Sequence, residues 1–130
     1  MIYLYYDNKG KIISTYTGFN ISTQTIKLPY IESQVAIDTK LYYILNNTII
    51  KRPLNEAILD KKILTADGVD SIVFSNVVKG LFKAVNATTG ETVSGEIDGT
   101  DTFSTTVTGT YKIKIEAFPY LDFETTIEAI

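Results

Sequence analysis

The sequence contains no cysteine, no histidine and no tryptophan. Without cysteine the chain has no disulfide, no thiolate nucleophile and no zinc site of the Cys/His type. Without histidine it lacks the most common general base, and with it the Ser-His and Cys-His pairs that activate most hydrolytic nucleophiles. These absences exclude many enzyme classes, and we expect a protein that is not an enzyme and holds no cofactor.

Basic clusters and long apolar runs are also scarce. The formal net charge is −3 and the sequence pI is near 4.9. Adjacent basic residues occur only at Lys51-Arg52 and Lys61-Lys62, whereas binding to a phosphate backbone needs clustered basic residues. No apolar run approaches the roughly 20 residues that span a bilayer, and the N-terminus lacks a signal-peptide pattern. We therefore expect no nucleic acid and no membrane among the partners, and synthesis in a cytosol.

Alternation of apolar and polar residues is what the sequence does contain, most clearly near its C-terminus. In residues 110–117 and again in 123–129, apolar side chains fall on one face and Thr, Lys and Glu on the other. A period of two predicts half-buried β-strands. Further strand candidates, separated by turn signals, are residues 69–77, 81–87, 92–94 and 101–107. Many short strands without a strand-helix-strand rhythm predict an all-β protein with a β-sandwich in this part.

The composition changes near Pro53. Residues 1–52 hold seven of the nine tyrosines, whereas residues 63–130 are dominated by Val, Ile, Thr, Gly and Asp. We therefore predict a small β-rich docking module over 1–52, a linker over 53–62 and the β-sandwich over 63–130.

Two hairpins are predicted in the N-terminal module. Residues 2–6 and 11–17 are β-rich and flank a short loop that ends in Gly10. Residues 41–45 and 48–51 flank Asn46-Asn47, a plausible two-residue turn because asparagine tolerates positive φ. Two turn-bounded pairs of this kind favour a compact β unit.

The interface candidates are aromatic. Tyr3 and Tyr5 share one face of the first strand, so that face presents amphipathic rings to a partner while the other face fills the core. Padding of a small core by the same rings is an equally weighted alternative. Phe118 and Tyr120 flank Pro119 and form either an anchor for a neighbouring subunit or a locally packed crossover, of which we favour local packing.

Acidic residues recur in two further patterns. Asp67-Gly68-Val69-Asp70 and Asp98-Gly99-Thr100-Asp101 repeat Asp-Gly-x-Asp, and loop carboxylates of this kind are candidate Ca²⁺ ligands at Asp67, Asp70, Asp98 and Asp101. Neither segment has the ligand count of an EF-hand loop, so we favour simple turns and predict no metal site. Glu91 and Glu96 are conceivable as a glycosidase pair, but we expect solvated acids without catalytic function.

The strand-forming segments of the C-terminal part also resemble a known family. Residues 66–71, Ala-Asp-Gly-Val-Asp-Ser, lead into an apolar strand, and residues 108–117, Thr-Gly-Thr-Tyr-Lys-Ile-Lys-Ile-Glu-Ala, close the pattern. These stretches resemble bacterial Ig-like domains of the invasin and intimin type, over about half of the chain. The resemblance implies an Ig-like β-sandwich.

With residues 117–121 added, and a first module that ends at Pro53, the whole chain is similar to small tailed-bacteriophage virion proteins. That resemblance implies a non-enzymatic structural or accessory protein of the tail, neck or capsid surface. It would dock in multiple copies on a larger virion protein after assembly in the host cytoplasm. The absence of tandem repeats and of a visible secretion signal favours the virion over a bacterial surface adhesin. The alternative is an adhesion module that binds a host receptor or a surface carbohydrate.

Overall fold

The computed structural model describes residues 2–17 and 29–130. All of the regular secondary structure assigned in this part of the chain is β-strand, which confirms the predicted all-β fold class. The chain divides into two compact units, Met1–Pro53 and Leu54–Ile130. Nothing in the described ranges forms a helix long and apolar enough to cross a membrane.

The described residues of the N-terminal unit form five short strands, and both predicted hairpins are confirmed. The strands are β1 (Ile2–Tyr6), β2 (Ile12–Thr17), β3 (Tyr30–Ser33), β4 (Tyr42–Leu45) and β5 (Thr48–Lys51). The first three form an antiparallel sheet in the order β2-β1-β3, and β4 and β5 form the second hairpin. Asn46 and Asn47 have φ values of 50° and 58°, the left-handed pair that a tight two-residue hairpin turn requires.

The described residues of this unit form a small core. Leu4, Ile12 and Ile44 are buried together, and partly buried isoleucines surround them. The two hairpins also meet through their backbones, because the Ile44 amide donates to the Gly10 carbonyl at 2.8 Å. Gly10 has a φ of 86°, and a Cβ atom there would overlap the Ile44 carbonyl oxygen. Only glycine allows this close approach.

The C-terminal unit contains six strands. They are β6 (Ile58–Leu59), β7 (Ile63–Leu64), β8 (Ile72–Asn86), β9 (Thr92–Phe103), β10 (Gly109–Glu116) and β11 (Phe123–Ala129). The sheet order is β6-β8-β10-β11-β7, and β9 pairs with β8. The short strand β6 falls inside the segment predicted as a linker and pairs with residues 74 and 75 of β8.

Strands β8 and β9 are longer than the sequence pattern predicts. The predicted break between residues 77 and 81 is wrong, because β8 runs without interruption for 15 residues. Its pairing with β9 shifts register between Phe74 and Val77 and again between Val77 and Gly80, and Asn76 has a φ of 55°. Such irregularities bend a strand and increase its twist without ending it. The first half of β8 therefore pairs with β6 and the second half with β10.

This bend curls the sheet around one buried core, which gives the unit its sandwich-like form. Ile72 and Phe74 come from the first half of β8, and they join the inward-facing Ile113, Ile115 and Ile127 of β10 and β11. The complete buried cluster is Leu64, Ile72, Phe74, Val77, Ala84, Ile97, Phe103, Tyr111, Ile113, Ile115, Ile127 and Ala129.

Two polar side chains fix the loops at one end of the sandwich. The Tyr111 hydroxyl, near the start of β10, donates to the Val107 carbonyl at 2.9 Å and lies 2.9 Å from the Thr105 hydroxyl. Asn86 is fully buried. Its amide nitrogen donates to the Thr108 carbonyl at 3.1 Å, and its carbonyl oxygen accepts from the amides of residues 88 and 89. Because buried polar groups need partners, both side chains tie neighbouring turns to the core.

Candidate functional site

One face of the N-terminal sheet carries four tyrosines. The register of β1 pairs Tyr3 with Tyr16 on β2 and Tyr5 with Tyr30 on β3. Paired residues of antiparallel strands point to the same side, and so do residues two apart on one strand. Tyr3, Tyr5, Tyr16 and Tyr30 therefore share the face opposite the Leu4 core, and we refer to these four residues as the tyrosine face.

The four rings pack against one another. The Tyr5 and Tyr16 ring centroids lie 5.5 Å apart at an interplanar angle of 86°, and those of Tyr3 and Tyr30 lie 5.7 Å apart at 62°. Tyr5 and Tyr30 are 5.4 Å apart in a tilted arrangement. These separations are typical of favourable edge-to-face aromatic pairs. The four rings thus form one packed aromatic cluster that crosses all three strands.

Tyr5 lies at its centre with an exposed fraction of 0%. Its hydroxyl oxygen is buried and has no hydrogen-bond partner within the described residues. Desolvation by burial, followed by the nearby phenols of Tyr30, Tyr16 and Tyr3, raises the pKa of Tyr5 above its ordinary value. The ring is therefore a neutral, apolar support for its neighbours.

The predicted interface candidates Tyr3 and Tyr5 lie on this face, but the most accessible rings of the face belong to other tyrosines. Tyr5 is covered and Tyr3 is half-buried, whereas Tyr16 and Tyr30 are each 41% exposed. Tyr16 could have been found from the first hairpin alone, because pairing across the turn at residues 7–10 places it on the side of Tyr3. Tyr30 carries no such local signal, since its pairing with β1 is a long-range contact.

Phe118 and Tyr120 lie between β10 and β11 and are both half-buried. The Tyr120 amide donates to the Ala117 carbonyl at 2.8 Å, which closes the turn. This position belongs to the C-terminal unit, and the two residues form no part of the tyrosine face.

The first acidic segment is a hydrogen-bonded turn. One oxygen of Asp67 accepts from the amides of Val69 and Asp70, both at 2.8 Å. Asp70 accepts from the Thr65 amide at 2.8 Å and forms an ion pair with Lys61. Backbone hydrogen bonds to Asp67, and the Lys61 ammonium beside Asp70, hold the pKa of each carboxyl below its ordinary value. These oxygens therefore act as acceptors within the protein itself.

The second acidic segment lies within β9, so the simple turn predicted for residues 98–101 is wrong. Asp101 is paired with Phe74 of β8, and Gly99, with a φ of 66°, with Val77. Asp98 and Asp101 are exposed. Across residues 2–17 and 29–130, no three carboxylates come together in a group suited to a metal ion.

Glu91 and Glu96, the conceivable glycosidase pair, are exposed on the segment that begins β9. Glu96 lies opposite Leu81, which is itself 59% exposed. The groove that Glu96 lines with Lys83 and Lys114 leaves it exposed to water and is not a desolvating cleft. A general acid needs such an environment to hold its proton near neutral pH. The exposure of Glu91 and Glu96 agrees with the prediction of solvated acids.

Comparison of the chain with protein-family models, with curated proteins and with solved structures gave no match.

Proposed function

We propose that this chain is a non-enzymatic structural protein of a bacteriophage virion, located at the tail, neck or capsid surface. In this proposal the N-terminal unit docks on a larger virion protein through the tyrosine face. The C-terminal unit is an Ig-like module that projects from the particle or cements it. Multiple copies are present on each particle.

The observation that carries the docking proposal is the exposure of Tyr16 and Tyr30 around the buried Tyr5. Tyrosine supplies a large, rigid contact area with a polar tip, and aromatic residues are enriched at the centres of protein interfaces. Because the rings already brace one another, little side-chain entropy remains to be lost on binding, which favours a preformed docking surface.

Two features of the C-terminal unit support an Ig-like module. The hydrogen bond from Tyr111 back to the carbonyl four residues upstream has the geometry of the tyrosine corner that is typical of Ig sandwiches. In addition, β6 pairs antiparallel with β8, whereas β7, a few residues later, pairs parallel with β11. The edge segment that contains β6 and β7 therefore connects two parts of a curled sheet. The virion setting comes from the sequence resemblance.

The non-catalytic part of the proposal is supported by the chemistry of the side chains. The sequence contains neither histidine nor cysteine. Glu91 and Glu96 are solvated, and the acids at 67 and 70 are occupied by backbone amides and Lys61. An enzyme would need a general base or nucleophile held in a water-excluding site.

The proposal is tested by incorporation into particles. In a phage carrying this gene, we expect the wild-type protein to co-purify with intact virions at a fixed ratio to the major capsid protein, measured by mass spectrometry. The double variant Tyr16→Ser with Tyr30→Ser should lower that ratio at least about tenfold, because it removes two exposed aromatic anchors of the kind that dominate interface energy.

The matched control is Tyr16→Phe with Tyr30→Phe, which keeps both rings and should incorporate within about threefold of the wild type. Absence of the wild-type protein from purified particles would overturn the virion assignment. Normal incorporation of the serine variant would overturn only the choice of docking face.

A glycan array separates docking from adhesion, because tyrosine rings also stack on sugars. We expect no saturable signal for the purified chain. A specific, saturable signal that is lost in the Tyr16→Ser, Tyr30→Ser variant would replace the docking proposal with host adhesion.

A further inference from the structure

Strand β9 forms a long free edge of the C-terminal sheet. Within the described residues its only strand neighbour is β8. Ten of its twelve residues are exposed, and only Ile97 and Phe103 are buried. Since a typical strand has about five or six residues, an uncovered edge of this length is a large surface of backbone hydrogen-bonding groups.

The first half of this edge is regular enough to receive another strand. Residues 92–97 pair with residues 85–80 of β8 in unbroken register. With a neighbour on one side only, about half of the backbone amides and carbonyls of such a strand point away from the sheet. Proteins commonly protect edges of this kind with proline, a bulge or charged side chains, lysine above all. Residues 92–97 contain no proline or lysine, and the irregular pairing begins only beyond Ile97.

A groove lies at the start of this strand, where Val93 is its lining residue from the regular half. It has a volume of about 390 Å³ and is lined by Glu91, Val93, Val107 and Tyr111, among others. Val93 pairs with the buried Ala84 and so points to the core side of the sheet, yet it is 50% exposed. A strand added at the edge would continue the sheet and place its own inward-facing side chain over Val93.

The negative charge of this edge indicates which kind of strand can bind there. Residues 91–103 carry four acids, Glu91, Glu96, Asp98 and Asp101, and no lysine or arginine. None of the four forms an ion pair within the described part of the chain. A second copy paired through its own β9 would bring four more acids to the junction, and like charges facing across strands are destabilising. A basic strand would instead neutralise the edge.

We propose that the edge formed by Thr92–Ile97 binds an extended, lysine- or arginine-containing strand of a partner protein by β-strand addition. An apolar side chain of that strand covers Val93, and its basic side chains lie beside Glu91 and Glu96. This inference goes beyond the proposed function: it concerns the C-terminal unit and holds whichever surface attaches the chain to a particle.

The experiment measures peptide binding to the full chain by fluorescence anisotropy. The probe is a labelled Lys-Val-Thr-Val-Thr-Val-Lys peptide, and the matched control replaces both lysines with glutamate. We expect saturable binding of the basic peptide with a Kd below about 1 mM and at least about fivefold weaker binding of the acidic one. Two further probes carry N-methyl groups on either the odd-numbered or the even-numbered amides of the basic peptide. One of them should bind more weakly than the other, because only one set of amides faces β9.

Variants of the chain locate the binding edge. Glu91→Lys with Glu96→Lys should weaken binding of the basic peptide at least about fivefold. The control is Glu56→Lys, which changes an exposed acid of the same unit outside β9 and should leave peptide binding within about twofold of the wild type. Val93→Pro and Ser94→Pro form a second pair, because the amides of consecutive residues point to opposite sides of the strand. One of these prolines removes an amide that bonds to β8, and this variant should have a lower melting temperature. The other removes an amide at the free edge, and this variant should keep the wild-type melting temperature but no longer bind the peptide.

Undetectable binding of the basic peptide would overturn the proposal, and so would equal binding of the basic and acidic peptides or of both N-methylated probes. Sedimentation of the chain alone as a dimer that the Val93→Pro or Ser94→Pro substitution dissolves would assign the edge to a second copy instead.

Discussion

The two units differ most in how much they bury. Among the described residues, the core of the N-terminal unit has three buried apolar side chains, whereas the C-terminal unit has a cluster of twelve buried residues. The smaller unit adds a second apolar layer, the tyrosine face, on the other side of its sheet. Because small domains bury a smaller fraction of their surface, a unit of this kind gains most from a partner that covers its remaining apolar face.

The largest effect should come from truncating each core. Leu4→Ala and Ile115→Ala each remove a side chain with 0% exposure, and such truncations cost about 2–5 kcal/mol. Leu4 is the most buried member of the small cluster that the described residues of the N-terminal unit form, so Leu4→Ala should abolish hydrogen-exchange protection in β1–β3 while the amides of β10 and β11 stay protected. Ile115→Ala should lower protection in β10 and β11 without abolishing it. Equal loss of protection in both units for either variant would break the comparison.

Asn86 should be the most sensitive polar residue of the larger unit. In Asn86→Ala the amides of residues 88 and 89 and the Thr108 carbonyl lose their partner, which costs about 1–3 kcal/mol for buried groups. Urea unfolding should show this loss. The control is Asn8→Ala, at an exposed turn of the smaller unit. Its free energy of unfolding should stay within about 0.5 kcal/mol of the wild type. A loss of equal size in the control would show that Asn86 has no special role.

Two tyrosine hydroxyls sharpen the contrast further. Tyr111→Phe removes the part-buried bond to Val107 and should lower the free energy of unfolding by about 1 kcal/mol. Tyr6→Phe removes an exposed bond to Asn47 and should cost only a few tenths of a kcal/mol. Thermal melts of the two variants decide this, and the reverse order would refute the assignment of Tyr111 as a corner residue.

Acid should weaken the C-terminal unit through the turn at Asp67 and Asp70. Both carboxyls have a pKa lowered below the ordinary 3.8, so they stabilise the fold above that pH and lose this contribution as the pH falls below it. Asp67→Asn with Asp70→Asn should flatten the decline of the melting temperature below about pH 4. An unchanged acid profile in this variant would show that these carboxyls contribute nothing to stability.

Removal of divalent cations should have the smallest effect. Because the oxygens of Asp67 and Asp70 already accept hydrogen bonds, we expect a chelator to leave the melting temperature unchanged. A rise of several degrees on adding Ca²⁺, lost in Asp67→Asn with Asp98→Asn, would reveal a site at these acids.

Much of the fold follows from local patterns. Strict alternation sets the bounds of β11, and the Asn46-Asn47 turn sets those of the second hairpin. The continuity of β8 could not be predicted, since Asn76 and Gly80 read locally as strand breakers. In the folded chain β6 and β10 pair with the two halves of β8 on either side of that region, and these long-range contacts keep the bent strand intact.

The candidate site divides in the same way. The shared face of Tyr3 and Tyr5 is a property of one strand and is visible in the sequence. The packing of Tyr30 on the buried Tyr5 is not, because Tyr30 reaches the sheet only through the pairing of β3 with β1. The free edge of β9 is likewise a consequence of sheet order, which no local pattern in residues 92–103 specifies.

The most direct test of the account is a cryo-electron microscopy map of the intact particle. We expect density for this chain in symmetric copies, with the rings of Tyr16 and Tyr30 buried against a larger virion protein. A map that contains the chain but leaves the tyrosine face in solvent, or that contains no density for the chain, would contradict the account.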